Sequence, residues 1–201
     1  MSAVTEEAII RAAKDIFVSK GYAATRMQEI ADAANINKAM LHYYFRSKEM
    51  LFRVITIQTL EMMLPKFLSA LQHEGTVIEK IENIVITYIE TIRENPHIPL
   101  FIITELSQKR ESFIVEVEKR AKNQPIVHAF FDQVTKEIEA GKIRDVPPMH
   151  LFLNVVSLSA FPFILQPVFT TVAGVSEAQY GAMMQERTVL VTDFIKNALR
   201  P

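Results

Sequence analysis

Apolar residues recur at helical spacing along most of the chain. Between residues 9 and 17, and again between residues 77 and 92, apolar side chains lie three or four positions apart. This spacing places them on one face of an α-helix. Alternating runs of Val, Ile and Thr with Asn-Gly or Asp-Gly turns, which would predict β-hairpins, are absent from the sequence. The sequence therefore predicts an all-α protein.

Glycines and prolines divide this pattern into about nine predicted helices. Four glycines lie where apolar stripes end: Gly21, Gly75, Gly141 and Gly174. Pro65 is expected to kink or end the fourth helix, and Pro162 to kink the eighth. The predicted helices cover residues 5–20, 27–34, 38–44, 47–71, 76–94, 97–107, 111–140 with an interruption near Pro125, 147–166 and 176–198.

Composition excludes several classes of protein. Of the 201 residues, 49% are hydrophobic and none is cysteine, which excludes disulfide frameworks, thiol nucleophiles and Cys-ligated metals. The five histidines show no metal-ligand spacing such as HExxH, and no glycine-rich phosphate loop is present. We therefore predict no catalytic residue, no metal site and no cofactor, with an enzyme as the main rival interpretation.

The stretch from Val146 to Ser176 contains no Asp, Glu, Lys or Arg and has to be tested as a membrane span. A span needs about 20 apolar residues. Pro162, Pro167 and polar residues such as Asn154 interrupt the stretch, and no basic cluster flanks it. We interpret it as a helix packed on its own core and on a second subunit, and predict no membrane partner. Because the chain opens with acids rather than a basic signal-peptide region, we expect a cytoplasmic protein.

The segment from residue 25 to residue 45 predicts two short helices joined by a tight turn. Thr25 and Gln28 have the spacing of a capping box, in which the hydroxyl accepts an N–H and the glutamine bonds back to the cap. In the turn, Asn35 is expected to take the left-handed conformation, and Asn37 to cap the second helix.

The second short helix, residues 38–44, has an apolar face and an unusual polar one. Leu41 and Tyr44, with the following Phe45, are expected to point inward. Four residues are left for solvent or a partner: Lys38, Met40, His42 and Tyr43. Although the net charge is only −1, residues 37–53 carry four basic residues and one acidic one. A helix of this length is about 10 Å long and fits a DNA major groove about 12 Å wide, as in helix-turn-helix recognition.

Many spaced positions between residues 8 and 53 form a recognisable pattern. They are Ile9-Ile-Arg-Ala-Ala-Lys-Asp-Ile-Phe17, Lys20-Gly-Tyr22, Thr25, Ile30-Ala31, Ala34, Leu41, Tyr44-Phe45 and Ser47-Lys48-Glu49-Met-Leu51. This pattern resembles the DNA-binding domain of the TetR family of bacterial transcriptional regulators. The resemblance implies a three-helix helix-turn-helix domain in residues 1–46 and a helical ligand-binding and dimerisation domain in residues 47–201. It also implies a homodimeric repressor that binds a palindromic operator in double-stranded DNA and is released by a small molecule.

By this resemblance, eight residues are expected at the DNA. The base-facing set is Gln28, Lys38, Met40 and Tyr43, and the phosphate-facing set is Thr25, Arg26, His42 and Lys48. The chemistry agrees, because glutamine can bond adenine, lysine can donate to guanine, and methionine can pack on a thymine methyl group. Plainer alternatives are that Thr25 and Gln28 only cap a helix, and that Arg26 and Lys48 are solvated surface charges.

Two departures from the family pattern affect this region. Residues 34–37 are Ala-Asn-Ile-Asn where the family commonly has Ala-Gly-Val-Ser, and asparagine suits both turn positions. His42 stands where a phosphate-binding tyrosine is common. Since a histidine side chain gains charge below about pH 6.5, operator affinity is expected to depend on pH.

The rest of the chain predicts a ligand cavity, a connecting helix and a dimer contact. Polar or aromatic residues in apolar surroundings are expected to line a cavity for an apolar or weakly polar ligand: Tyr88, His97, Phe101, His128, Phe131, Asn154 and Ser157. Met62 and Met63 are expected to complete the lining. The plainer alternative is core packing. The helix at 47–64 is apolar on more than one face, so we expect it to connect the two domains.

Segments 147–166 and 176–198 are expected to form a four-helix dimer contact. Five residues of the second segment are its predicted apolar stripe: Met183, Met184, Val191, Phe194 and Ile195. A purely structural helical adaptor is the second rival interpretation. It would explain the amphipathic helices but not the outward face of residues 38–43.

Overall fold

The computed structural model describes residues 2–108, 110–121 and 125–201, with side chains described from residue 5 onward. Within these residues all regular secondary structure is α-helical, which confirms the predicted fold class. Eleven helices occur in this part of the chain. They are α1 (Ser2–Ala24), α2 (Met27–Ala33), α3 (Lys38–Tyr44), α4 (Lys48–Gln72), α5 (Val77–Glu94), α6 (Ile98–Gln108), α7 (Arg110–Ala121), α8 (Ile126–Glu139), α9 (Pro148–Ile164), α10 (Gln166–Thr171) and α11 (Glu177–Leu199).

The prediction of about nine helices was too low. The predicted helix at 111–140 is two helices, α7 and α8, and part of its predicted interruption, residues 122–124, lies outside the described residues. The predicted helix at 147–166 ends at Ile164, and α10 begins with Gln166 and Pro167. Because proline lacks an N–H, it is well accommodated in the first turn of a new helix.

The chain forms two compact units. The first consists of Met1–Met62 and Pro96–Arg120, and the second of Met63–Asn95 and Ala121–Pro201. Helix α4 contributes its residues up to Met62 to the first unit and its later residues to the second. The division of function between residues 1–46 and 47–201 stays a prediction.

An aromatic cluster lies in the core of the first unit. Phe101 of α6 stacks on Phe52 of α4 at 4.4 Å between ring centroids. Phe17 of α1 meets both rings edge-on, at 5.8 Å and 5.1 Å. Since Phe17 and Phe101 have no exposed surface and Phe52 has 2%, α1, α4 and α6 share this core. Such edge-on and stacked pairs add about 0.5–1.5 kcal/mol each beyond the area that they bury.

The second unit is centred on α5, which packs against α9, α11 and α8. A proline inside α9 shows how these helices depend on each other. Pro162 has no N–H for the carbonyl of Leu158, four residues earlier. The Arg187 side chain of α11 donates from Nε to that carbonyl at 2.9 Å, and the Tyr180 hydroxyl donates to the carbonyl of Pro162 at 3.1 Å. Helix α11 therefore satisfies carbonyls at the end of α9.

Apolar side chains of α9 and α11 are also exposed. Leu153 and Phe161 of α9 are 50% and 53% exposed, and Leu190 and Phe194 of α11 are 60% and 62% exposed. Of the five residues predicted to form the dimer stripe, two are exposed, Met183 and Phe194, and three are buried, Met184, Val191 and Ile195. The buried three were misassigned because α11 has apolar residues on two faces, one of which contacts the core of its own unit.

Among the described residues, one helix, α4, is long and apolar enough to cross a membrane by length and composition alone. Core helices of soluble proteins pass the same test, so one such helix is weak evidence. Helix α9, in the stretch that raised the question from sequence, has 17 residues and is shorter than the roughly 20 that a span requires.

Candidate DNA-binding and ligand-binding sites

The N-terminus of α2 differs by one residue from the predicted capping box. The cap residue is Arg26, whose backbone N–H donates to the Glu29 carboxylate at 3.0 Å. The predicted box of Thr25 and Gln28 was wrong, because the Thr25 hydroxyl instead donates to the carbonyl of Gly21 at 2.7 Å. Thr25 is 2% exposed, so its side chain belongs to the protein interior.

The turn between α2 and α3 forms as predicted. Asn35 has a φ of 55°, in the left-handed region that asparagine tolerates. The Asn37 side chain accepts a hydrogen bond from the backbone N–H of Met40 at 2.7 Å and caps α3. These two asparagines fix the start of α3 and therefore the direction in which its side chains point.

Helix α3 has one buried face and one exposed face. Leu41 and the following Phe45 are 0% and 3% exposed and anchor the helix in the first unit. We define the recognition face as the four exposed residues Lys38, Met40, His42 and Tyr43. Tyr43 is 84% exposed and Met40 43%. The predicted exposure of these residues is confirmed, and their contact with DNA stays a prediction.

The His42 ring makes one hydrogen bond within the protein. Its Nδ1 lies 3.2 Å from the carbonyl oxygen of Arg46. Because a carbonyl only accepts, Nδ1 carries the proton in this arrangement, and the neutral ring has no N–H at Nε2. The pH dependence of operator affinity stays a prediction.

Gln28 and Arg26 lie on the exposed side of α2. The Gln28 amide donates to the Asp32 carboxylate at 2.7 Å. To bond a base edge, the Gln28 side chain would have to exchange this partner.

Lys48, at the start of α4, has its ammonium group surrounded by backbone carbonyls. Its Nζ donates to the carbonyls of Tyr22 at 2.8 Å, Thr25 at 3.0 Å and Ala23 at 3.2 Å. It also lies 4.6 Å from the centroid of the Tyr22 ring. An ammonium group has three N–H donors, so all three have partners within the protein. Sequence reasoning missed this contact, which joins residues more than twenty positions apart.

The predicted ligand cavity is closed in the second unit. A void of about 10 Å³, room for about one water, is lined by side chains of α4 and α5, namely Met63, Phe67, Thr87, Tyr88, Thr91 and Ile92. The rings of Phe67 and Tyr88 meet edge-on at 5.8 Å, and Phe67 also meets Phe152 of α9 at 6.0 Å. Burial raises the pKa of Tyr88, so its hydroxyl stays protonated.

Only part of the predicted lining set comes together at this void. Met63 and Tyr88 line it, and Phe131 of α8 lies 6.0 Å from Phe152, at the side of the same aromatic interior. His128, Asn154 and Ser157 are exposed. Two more residues of the set, Phe101 and His97, belong to the core of the first unit, and Met62 is the last residue of the first unit's N-terminal segment.

His97 is a buried polar group in the first unit. It is 7% exposed, and its Nε2 has no hydrogen-bond partner. Its ring meets that of Phe101 edge-on at 5.5 Å. Burial, with the nearby Lys14 ammonium, lowers the pKa of His97 to about 4, so the ring is neutral at pH 7.

An open cleft of about 350 Å³ lies between α4 and α5 in the second unit and was not predicted. It is lined mainly by polar side chains: Lys66, Ser69, Ala70, His73, Asn83, Thr87, Glu90, Thr91 and Glu94. These residues recur every three or four positions on each helix, a signal present in the sequence. A solvated helix face gives the same pattern, so sequence alone does not single the cleft out.

Comparison with known proteins places these helices in a family. A family model for bacterial regulatory proteins of the tetR family matches residues 9–55, which include most of α1, all of α2 and α3, and the start of α4. The HTH-type transcriptional regulator YhgD of Bacillus subtilis (strain 168) is 30% identical over 129 residues, covering 59% of this chain and 68% of that protein. The chain belongs to the TetR family.

Other TetR-family similarities extend beyond the DNA-binding segment. The HTH-type transcriptional regulator RutR of Escherichia coli (strain K12) is 26% identical over 154 residues, covering 75% of this chain and 69% of that protein. The ketosteroid transcriptional regulator KstR2 of Mycobacterium tuberculosis superposes with a TM-score of 0.72 at 16% identity, over 100% of this chain and 97% of that one. The latter similarity shows that the described part of the chain has the fold of that regulator.

Proposed function

We propose that the chain is a ligand-responsive repressor that binds a palindromic operator as a homodimer. The recognition face of α3 is the observation that carries this proposal. Its four side chains are exposed on a helix whose opposite side is fixed in the core by Leu41 and Phe45. A seven-residue helix fixed in this way can enter a major groove and present donors and apolar groups to base edges.

Within this proposal, the side chains divide the contacts by chemistry. Lys38 would donate to guanine, Met40 would pack on a thymine methyl group, and Tyr43 would contact a base edge. Gln28 would bond adenine after leaving Asp32. Arg26 and His42 would bind phosphates.

Dimerisation is supported by the exposed apolar side chains of α9 and α11. A palindromic operator is matched by two recognition helices related by a twofold axis. Exposed apolar side chains on two helices that contact each other are a feature of protein interaction sites. We therefore propose that Leu153, Phe161, Leu190 and Phe194 pack against the same residues of a second copy.

The effector is proposed to enter the aromatic interior around Tyr88. Because the void there holds about one water, a ligand requires Phe67 or Met63 to move, and it would stabilise that altered conformation. The lining is apolar apart from the hydroxyls of Tyr88 and two threonines, which favours an uncharged ring compound with one or two polar groups. Since KstR2 is a ketosteroid regulator, steroids are the first class to test.

Coupling would run through α4, which contributes residues to both units. A ligand that weakens operator binding by some factor must have its own binding weakened by the operator by the same factor. The relatives are regulators, so we propose no enzymatic activity, and a DNA-bound regulator would work in the cytoplasm.

Selection of bound duplexes from a random pool tests the DNA-binding proposal. We expect enrichment of a palindrome whose half-sites lie one helical turn, about 34 Å, or a multiple of it apart. Failure to enrich any sequence above non-specific binding would contradict the proposal.

Sedimentation of Phe194→Glu tests the dimer. The buried charge is expected to convert the protein to a monomer and abolish binding to the palindrome. Val115→Glu, at a residue of α7 that is 58% exposed, is the matched control and should stay dimeric. A dimeric Phe194→Glu variant would show that the interface lies elsewhere.

A further inference from the structure

The contacts of Lys48 lie at both ends of the segment that contains α2 and α3. Its three carbonyl partners lie in residues 22–25, just before α2, whereas Lys48 itself begins α4, just after α3. The hydrogen bonds therefore close a loop of about twenty residues whose contents are the two helices of the candidate DNA-binding motif.

The carbonyls converge because the chain leaves helical geometry shortly before them. Gly21 has φ 76° and ψ 163°, a conformation that residues with a Cβ rarely adopt. The Thr25 hydroxyl then donates back to the carbonyl of Gly21 at 2.7 Å. With α1 interrupted here, its last carbonyls lack helical partners, and the ammonium of Lys48 supplies both hydrogen bonds and positive charge.

Lys48 has no donor left for a DNA phosphate while these bonds exist. To reach a phosphate, its ammonium would have to leave at least one carbonyl, which would then be unpaired beside the half-buried Lys48 stem. Thr25 is in the same position, because its single hydroxyl proton is already donated to Gly21.

We propose that Lys48 is a positioning residue for the recognition face rather than a phosphate ligand. It fixes the ends of the α2–α3 segment to each other and so sets the orientation of α3. The effect of Lys48 on operator binding rests on the proposed DNA-binding function. The hydrogen bonds of its ammonium group can be tested without DNA.

Amine labelling of the DNA-free protein is the first test. Reductive methylation followed by mass spectrometry measures the reaction rate of each lysine, with exposed Lys38 as the internal comparison. We expect Lys48 to react at least about tenfold more slowly than Lys38, since its hydrogen bonds must break first. Equal rates would overturn the proposal, and this result is independent of whether the protein binds any operator.

Operator affinity of Lys48→Arg is the second test. Arginine binds phosphate at least as well as lysine, so a phosphate contact would survive this change. Its planar guanidinium group cannot direct three N–H donors at three carbonyls converging on one point. We expect about a tenfold loss of affinity, with the dependence on salt unchanged. Affinity equal to that of the unmodified protein would overturn the proposal.

Lys48→Met and Arg26→Met form a matched pair for the salt dependence. Each removed phosphate contact lowers the slope of log affinity against log salt by about 0.9. We expect Arg26→Met, which removes an exposed charge proposed to bind a phosphate, to lower the slope. Lys48→Met should lower operator affinity with little change of the slope. A decrease of the slope by about 0.9 in Lys48→Met would instead show that Lys48 contacts a phosphate. Should the unmodified protein bind no operator, the DNA-binding proposal fails while the labelling result still decides the contacts of Lys48.

Discussion

The recognition face of α3 and the aromatic interior around Tyr88 are both proposed binding sites, but only the first is open. Tyr43 is 84% exposed and needs no rearrangement to meet a partner, whereas the void beside Tyr88 holds about one water. The difference follows from what each site would bind. DNA binds to an exposed surface. A small ligand shifts the conformation of the protein only if it binds a rearranged packing of the interior more tightly than the packing seen in the ligand-free protein.

Truncating one aromatic side chain in each site should give the largest difference in the free energy of unfolding. Phe67→Ala removes a half-buried ring that contacts Tyr88 and Phe152, and should lower the free energy of unfolding by about 3 kcal/mol. Tyr43→Ala is the matched truncation and should change it by less than about 0.5 kcal/mol, since its ring is exposed. Urea denaturation measures both. Similar losses would mean that the recognition face also supports the fold.

The same Tyr43→Ala change should affect operator binding instead of folding. We expect discrimination between the best operator and single-base variants to fall by about 1–3 kcal/mol at particular base pairs. Competition binding with a panel of variant duplexes measures this. Lys136→Ala, at an exposed residue of α8, is the control and should leave the panel unchanged. A uniform loss across all sequences would instead assign Tyr43 to the DNA backbone.

His97 makes the interior of the first unit sensitive to pH. Its folded-state pKa, about 4, lies below the ordinary value of 6.5, so the unfolded chain takes up the proton first as pH falls. Stability is therefore fully present above pH 6.5 and is lost progressively between 6.5 and 4, by about 1–2 kcal/mol from pH 7 to pH 5. Urea denaturation at the two pH values should show this loss to be smaller in His97→Leu. An equal loss in both proteins would show that His97 is not the group responsible.

Gln28→Ala should have the smallest effect. The Gln28 amide already has Asp32 as a partner, so a base contact would exchange one hydrogen bond for another. We expect a loss of operator affinity below about 1 kcal/mol. Asp32→Ala frees the amide and removes a negative charge, and should strengthen operator binding. Weaker binding by Asp32→Ala would show that the carboxylate orients Gln28 usefully.

The sequence predicts structure correctly where the physical cause lies in neighbouring residues. Asn35 and Asn37 form the predicted turn because the left-handed conformation and the helix cap depend on neighbouring residues. It failed by one residue at the start of α2, where two local hydrogen bonds compete for Thr25. The bond to Gly21 forms, and Arg26 becomes the cap.

Contacts between residues far apart in the chain could not be predicted from the sequence. The spacing of charges does not reveal that Lys48 meets carbonyls more than twenty residues earlier. Whether apolar residues line a void or fill a core depends on side-chain packing. Phe101 and Tyr88 follow the same helical pattern, yet Phe101 is a fully buried core residue of the first unit.

The order of segments along the chain also bears on how the protein folds during synthesis. The first unit takes its final segment, Pro96–Arg120, from a point in the chain after Met63–Asn95, which belongs to the second unit. At about 5–20 residues per second, the ribosome completes Phe101 several seconds after Phe52, the ring on which it stacks. Until then the nascent DNA-binding helices lack an aromatic part of their core. A chain released early, after α4, should therefore expose Phe17 and Phe52 and aggregate or be degraded rather than occupy an operator.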